Sequence, residues 1–401
     1  MSLLIRNARV LTLAQGSRPR RGKELADLGV IPQGDVLIEG DKIAAVGPKV
    51  EAPAGADIIE AHGRVLMPGF VDCHTHACWA GDRLGEWEQK LRGVPYLEIL
   101  RNGGGIHATV RAVREATKKQ LTAGLKIRLD AMLRAGTTTV EIKSGYGLET
   151  EAELKMLRAI VRAGHEWAGT IVPTALLGHA FEGDLAVYAR MVVKEMLPAV
   201  SKEFPNITVD AYCEDAAWSR EECTKLFEKA QKHHPIRVHA DQFTSQGMVP
   251  EAVRLFARSV DHLEASTKPD LKLLAQSATI GVILPCTGFH TDGRYARAGF
   301  LVDAGGAVAL ATNCNPGTSP THSMPLAIAL AVRFCGLTPA EAITAATVNA
   351  AAVLGLNDRG TVAVGQRADL ILLCHKDERF LAYELGGNPV DSVLVAGQTV
   401  R

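Results

Sequence analysis

The run Pro68-Gly69-Phe70-Val71-Asp72-Cys73-His74-Thr75-His76 places two histidines at i and i+2 directly after a short apolar stretch. Side chains alternate faces along a strand, so His74 and His76 project together while Thr75 points the other way. Two neutral imidazoles on one strand end can share a divalent metal, and zinc or iron(II) suits such nitrogen ligands. The remaining donors have to come from elsewhere in the chain. Three further histidines stand at the ends of apolar runs. His239 lies in Ile236-Arg237-Val238-His239-Ala240, His262 in Ser259-Val260-Asp261-His262, and His179 follows Val172 to Gly178. A last apolar run, Ala307 to Thr312, leads into Asn313-Cys314-Asn315-Pro316-Gly317-Thr318.

Groups this far apart in sequence converge only if the strands that carry them lie side by side. From about residue 68 to 350 the chain alternates apolar strands with amphipathic helices. Strands are expected at 137–143, 170–176, 208–213, 236–240, 259–263, 279–285 and 307–312, preceded by Phe70-Val71, with helices such as Glu149 to Arg162 and Pro250 to Ala257 between them. Eight strands with intervening helices are the order of an α/β protein built on a parallel (β/α)8 TIM barrel, whose chemistry sits at the carboxyl ends of the strands. The histidines fall at those ends. Residues 1–67 read instead as short strands, with a hairpin signal at Glu39-Gly40-Asp41. Residues 351–401 read the same way, at Ala368 to Leu373 and Asp391 to Val400. Neither end has enough strand to close a core. The expectation is one small β-sandwich domain built from 1–67 and 351–401, with the barrel of 68–350 inserted between its halves.

Composition narrows the class. The 401 residues are 47% apolar and 22% charged, the profile of a globular protein able to bury a sizeable core. Formal net charge is zero, which offers no electrostatic case for nucleic acid or an anionic membrane as partner. No apolar stretch approaches a membrane span. The first residues, Met1-Ser2-Leu3-Leu4-Ile5-Arg6, lack a charged leader and a long apolar region, so no signal peptide is expected. The eight cysteines are scattered without a CxxC pair and read as reduced thiols of a cytoplasmic protein.

PGFVDCHTH on the first strand, RVHADQ on the fifth and VDHLE on the sixth resemble the amidohydrolase superfamily. Ala80-Gly81-Asp82-Arg83, Gly103-Gly104-Gly105-Ile106, Glu141-Ile142-Lys143-Ser144-Gly145-Tyr146-Gly147-Leu148 and Asn315-Pro316-Gly317-Thr318-Ser319-Pro320 narrow the resemblance to the imidazolonepropionase family, over nearly the whole chain. That resemblance implies one divalent metal, zinc or iron, on His74, His76 and His239, with a strand-eight aspartate as fourth ligand. It implies a small-molecule substrate, imidazolone propionate, opened to N-formimino-glutamate by a metal-activated water, and a homodimer. Arg83, Tyr146 and His179 match positions that hold the propionate and the ring. Gln242 matches a position in contact with substrate, and Asn315, Gly317 and Thr318 match a loop beside substrate or product. His262, Gln242 and the strand-eight position are the implied catalytic groups. The residue types agree with a small anionic substrate, since a guanidinium forks onto a carboxylate and a tyrosine hydroxyl adds a donor. Lys143 ends strand two, whereas the carboxylated lysine of two-metal relatives follows strand four, so Lys143 is read as structural and the site as holding one metal. The glycines at 103–105 suggest a mobile segment.

One position departs from the family. Where an aspartate is expected after strand eight, the chain has Asn313. An amide oxygen can touch a metal, but it carries no charge and takes no proton at neutral pH. The alternatives are proton transfer by His262 or another group, a related amidohydrolase or deaminase acting on another small anionic heterocycle, a weakly active homologue that binds ligand, or a deliberate Asp→Asn change that traps substrate.

Overall fold

The computed structural model describes residues 2–94 and 104–400; Gly103 lies outside them. Eight strands make one parallel sheet in strict chain order: β1 (Phe70–Asp72), β2 (Thr137–Lys143), β3 (Thr170–Gly178), β4 (Thr208–Cys213), β5 (Ile236–Ala240), β6 (Ser259–His262), β7 (Ile280–Ile283) and β8 (Val308–Leu310). This is the expected barrel. Its two edges meet just past β1 and β8, where Thr75 bridges Cys314 in parallel. There the Asn313 N–H donates to the His74 carbonyl at 3.1 Å and the His76 N–H to the Cys314 carbonyl at 2.9 Å. The Asp72 carboxylate reinforces the seam, accepting from the Thr312 N–H at 3.1 Å and the Thr312 hydroxyl at 2.5 Å. Closure therefore occurs at the carboxyl rim, through the residues that flank the histidines.

The helices between strands follow local signals. Ser219 and Thr267 cap Arg220–Ala230 and Lys268–Ala275 by accepting the N–H groups of Glu222 and Asp270. The helix Thr150–Glu166 buries Leu154, Leu157 and Ile160 along one face. Met248–Arg254 starts two residues before the proline that suggested its first turn. Pro250 is tolerated because the first four helical N–H groups have no intrahelical partner anyway. β7 stops at Ile283 because Pro285 opens the next helix, Pro285–His290. β6 stops at His262, where the backbone turns left-handed at His262 and Leu263.

Both chain ends contribute to the second sheet. Leu370–Leu373 pairs antiparallel with Val65–Pro68, which pairs in parallel with Ser2–Leu11; Val30–Glu39 and Lys42–Gly47 form the expected hairpin about Gly40-Asp41. Ile5, Val10, Val36, Ile38, Leu66, Leu370 and Leu394 make its core. Only Gly69 separates Val65–Pro68 from β1. A Cβ at Gly69 would lie 2.5 Å from the Thr138 side chain, so glycine is required where one sheet hands the chain to the other.

The barrel interior is unusual in its polarity. Alternation along β2, β4, β5 and β6 sends Val140, Ile142, Val209, Ala211, Val238, Ala240 and Val260 into the apolar core. The intervening side chains, Glu141, Lys143, Asp210, Arg237, His239, Ser259 and Asp261, are buried as well, at 2% exposure or less. Barrel interiors are ordinarily filled by branched aliphatic side chains. Here charged groups occupy that space, directly beneath the histidines.

Candidate active site

β1 and β5 deliver three histidines to one point. One ring nitrogen from each of His74, His76 and His239 lies within 4.8 Å of the others, and all three rings are buried. His74 donates from Nδ1 to Asp261 Oδ2 at 2.5 Å, and His239 from Nδ1 to Asp210 Oδ1 at 3.1 Å. These bonds fix the tautomers and leave the Nε2 lone pairs facing inward. His239 Nε2 sits 3.2 Å from His76 Nε2, while His74 Nε2 and His76 Nδ1 are buried without a partner. Burial first, then the neighbouring charges of Lys143, His239 and His179, holds His74 and His76 well below the usual imidazole range, and burial lowers His239 too. Neutral rings with inward lone pairs at this spacing fit a divalent cation.

Asn313 lines the same cavity as His76 and His239 and is joined to His74 by its backbone at the seam. Its amide nitrogen donates to Thr287 Oγ1 at 2.8 Å, and its Oδ1 is buried without a hydrogen-bond partner. The left-handed backbone at Asn313, φ 54°, is one that asparagine tolerates. An orphaned buried acceptor on the cavity that His76 and His239 line, together with two unpartnered imidazole nitrogens, fits a cation better than it fits a packed core.

A cavity of about 1060 Å³ opens above the cluster. His76, Arg83, Tyr146, His179, His239, Gln242, His262, Asn313, Asn315, Gly317 and Thr318 all line it; His74 lies behind the wall, fully buried. The expected site residues therefore meet in one space. His179 stacks on His76 with ring centroids 5.0 Å apart and lies tilted against Tyr146 at 5.1 Å. Burial, then the neighbouring His239, pulls the His179 pKa down to about 3, so the ring is neutral. Its Nδ1 donates to the Gly145 carbonyl at 2.9 Å, which leaves Nε2 as an acceptor. Gly145 has φ 107°, and a Cβ there would come within 3.0 Å of that same His179 nitrogen. Burial raises the Tyr146 hydroxyl pKa, so it stays a neutral donor.

His262 donates from Nδ1 to Glu264 Oε1 at 3.2 Å, with the ring centroid 5.7 Å from that of His239. Asp241, His262 and Leu263 all adopt positive φ, a cost of about 1–3 kcal/mol each that only a site held by its surroundings retains. Arg83 pairs with Glu86, while its Nε is buried and unpartnered. A Cβ at Gly317 would lie 3.2 Å from Arg83 Nη1, so the glycine admits the guanidinium. Asn315 is occupied within its own loop: its Oδ1 accepts the Gly317 and Thr318 N–H groups at 2.9 and 2.8 Å, and its Nδ2 donates to the Asn313 carbonyl at 2.7 Å.

Several groups in and under the cavity escaped the sequence reading. Trp87, Lys90, Tyr212, Phe243 and Arg294 line it. Glu214, buried at the end of β4, accepts the N–H groups of Phe243 and Thr244 at 2.8 and 3.1 Å and the Thr244 hydroxyl, fixing the loop that presents Gln242. The acids that orient the metal-facing histidines, Asp210 and Asp261, were also missed. Their only signal was a charged residue at an inward position of a strand otherwise buried on both faces.

The Amidohydrolase family matches residues 65–400. An imidazolonepropionase from Deinococcus radiodurans is 45% identical over 380 residues, covering 94% of this chain and 95% of its own. One from Herpetosiphon aurantiacus is 44% identical over 399 residues, covering 96% and 93%. Among solved structures, an amidohydrolase from a Sargasso Sea environmental sample superimposes with a TM-score of 0.70 at 19% identity, covering 100% of this chain and 93% of its own. N-isopropylammelide isopropylaminohydrolase from Burkholderia multivorans gives 0.70 at 18%, covering 100% and 98%. At such low identity the structural likeness is one of fold.

Proposed function

This chain belongs to the amidohydrolase family and, within it, to the imidazolonepropionases, and from that membership we infer how its own residues carry out the reaction. It is a hydrolase of cyclic amide C–N bonds, and its substrate is 4-imidazolone-5-propanoate. Water adds to the ring carbonyl carbon, the bond from that carbon to the adjacent ring nitrogen breaks, and the nitrogen leaves with a proton as N-formimino-L-glutamate. The observation that carries this reading is the cluster of neutral, inward-facing imidazoles of His74, His76 and His239 at the floor of a cavity that also holds Arg83 and Tyr146.

Those histidines, with Asn313 Oδ1, would hold a divalent metal, zinc or iron(II), which would supply Lewis-acid polarisation of the carbonyl and lower the pKa of water there. The chain supplies the rest. Arg83, with its unpartnered Nε, and the neutral Tyr146 hydroxyl bind the propionate carboxylate. His179 offers Nε2 as acceptor to a ring N–H. Gln242, on the loop held by Glu214, donates to the ring or its carbonyl oxygen. His262, oriented through Nδ1 by Glu264, presents Nε2 to orient the attacking water and accept its proton. Asn313 cannot take that proton, so the transfer that a carboxylate would perform falls to His262.

Asn313 also favours a second reading, a weakly turning-over homologue that holds the substrate well. Both readings are separated by one assay. Purified protein, stripped and reloaded with zinc or iron(II), is given imidazolone propionate and followed by loss of the imidazolone ultraviolet absorbance. Steady turnover supports the hydrolase; tight substrate binding with little or no absorbance loss supports the second reading; the absence of both binding and turnover sinks both readings. No helix among the described residues is long and apolar enough to cross a membrane. Cysteines without disulfide bonds, seven of the eight buried, support a cytoplasmic setting.

A further inference from the structure

The charged interior of the barrel is continuous from one metal-facing histidine to another. Starting at His239, Asp210 Oδ1 accepts the ring N–H at 3.1 Å, and Asp210 Oδ2 accepts from Lys143 Nζ at 2.7 Å. Lys143 Nζ also donates to Glu141 Oε1 at 2.7 Å. Arg237 Nη1 lies 3.5 Å from that same Glu141 oxygen, its Nη2 pairs with Asp261 Oδ2, and Asp261 Oδ2 accepts from His74 Nδ1 at 2.5 Å. Glu141 reaches the third histidine through the backbone. Its Oε2 accepts the Thr75 N–H at 3.0 Å and its carbonyl accepts the Thr75 hydroxyl at 2.7 Å, pinning the residue between His74 and His76. Every member of this chain of contacts is buried.

We propose that Lys143, Glu141 and Arg237 form a positioning bracket for the metal cage, locking Asp210 and Asp261 against His239 and His74 and so presetting the direction of both Nε2 lone pairs. Three observations carry it. A lysine with no exposed surface costs several kcal/mol to desolvate, and a buried ionic cluster is a poor source of net stability, so its retention calls for another role. The two cations each bind an acid that in turn binds a histidine of the cage, and neither touches the cavity. Three carboxylates against two cations leave one formal negative charge directly under the cage, where the strand-eight residue is an uncharged amide. The bracket thus supplies through the imidazoles part of the negative charge that Asn313 lacks, since a carboxylate partner makes a ligating imidazole a stronger donor.

This inference rests on the metal reading of the preceding subsection, and its test separates the two. Metal-free protein is titrated with cobalt(II), and the dissociation constant and visible ligand-field spectrum are recorded for the wild type and for Lys143→Met. Because Lys143→Met takes the shared cation from two buried carboxylates, the double variant Lys143→Met/Glu141→Gln is measured beside it; it keeps the net charge and breaks the links of residue 143 to Asp210 and of the Glu141 charge to Arg237. The double variant, whose net charge is unchanged, is expected to bind cobalt(II) roughly 10- to 100-fold more weakly with a shifted spectrum, the usual effect of losing partners behind a metal ligand; Lys143→Met, which leaves one more negative charge under the cage, is expected to show the shifted spectrum. A purely structural role would lower the thermal midpoint and leave affinity and spectrum in place. Wild-type affinity and spectrum in a folded variant overturn the bracket. Failure of both variants to fold even with metal supplied also overturns it, because the cluster is then a requirement of the barrel and not of the cage. A wild type that binds no cobalt(II) overturns the metal reading instead.

Discussion

Asn313→Asp exchanges one buried atom and changes the sign of several observables at once. Asn313 Oδ1 is buried without a partner, and its Nδ2 is bonded to the Thr287 hydroxyl at 2.8 Å. A carboxylate at this position loses nothing to Thr287, because a hydroxyl accepts or donates by rotation and can turn to donate. Toward a divalent ion about 4 Å away, one negative charge is worth about 8 kcal/mol at an effective dielectric near 20. Desolvating the carboxylate takes back several kcal/mol, which leaves about 3 kcal/mol, roughly a hundredfold in the metal dissociation constant. Without metal the sign reverses. The new charge then faces three neutral imidazoles, and the metal-free protein loses about 1–3 kcal/mol or more of stability. A positioned carboxylate can also relay the proton, so turnover rises by about 10²- to 10⁴-fold. Three assays read these outcomes: chelator competition for metal affinity, thermal unfolding with and without metal, and the imidazolone absorbance for turnover. If the variant keeps wild-type metal affinity and wild-type turnover, Asn313 does not face the cage, and the argument from its orphaned oxygen fails.

Two further predictions concern the substrate and pH. Arg83→Gln removes a charge-assisted contact worth about 1.5–3 kcal/mol, so KM rises roughly 10- to 100-fold with kcat little changed; a fall in kcat at constant KM would move Arg83 from binding to chemistry. The metal-free protein loses stability as pH falls. His179 is held near 3 by burial and by His239, whereas the unfolded chain takes up that proton near 6.5. The unfolded state thus binds more protons between those values, and stability falls by about 1.36 kcal/mol per pH unit for this histidine on descending from 6.5 towards 3. His74 and His76, also held down by burial, act in the same direction. A thermal midpoint that stays flat from pH 7 to 5 without metal would refute the burial of these rings in neutral form.

The sequence made much of the site legible because the histidines end apolar runs, and a strand end is a position that the hydrophobic pattern locates well. β3 extends two residues past its expected end, to Gly178, and so delivers His179 immediately beyond the rim. The short strands were less legible. β8 holds only Val308–Leu310, and the rest of its apolar run serves the seam with β1, a contact between residues more than two hundred apart. Glu214 gave no sign at all, since its partners are backbone N–H groups of a loop about thirty residues later.

By itself, the order of apolar runs and turn signals determined the barrel, the shared terminal sheet and the strand ends on which the histidines stand, because these follow from local periodicity and chain connectivity. The tertiary structure alone decided what lies beneath them. Alternation predicts that residues two apart share a face, yet only closure of the sheet shows that the faces carrying Glu141 and Lys143, Asp210, Arg237 and Asp261 all turn inward and touch. A charge on a strand has no meaning until its partner is known, and apart from the Lys143–Glu141 pair within β2 each pair here joins different strands. Thus Lys143, unremarkable at the end of β2, became part of the support under His239, and Asn313 stood out as an unpartnered oxygen only once the seam had brought it to His74.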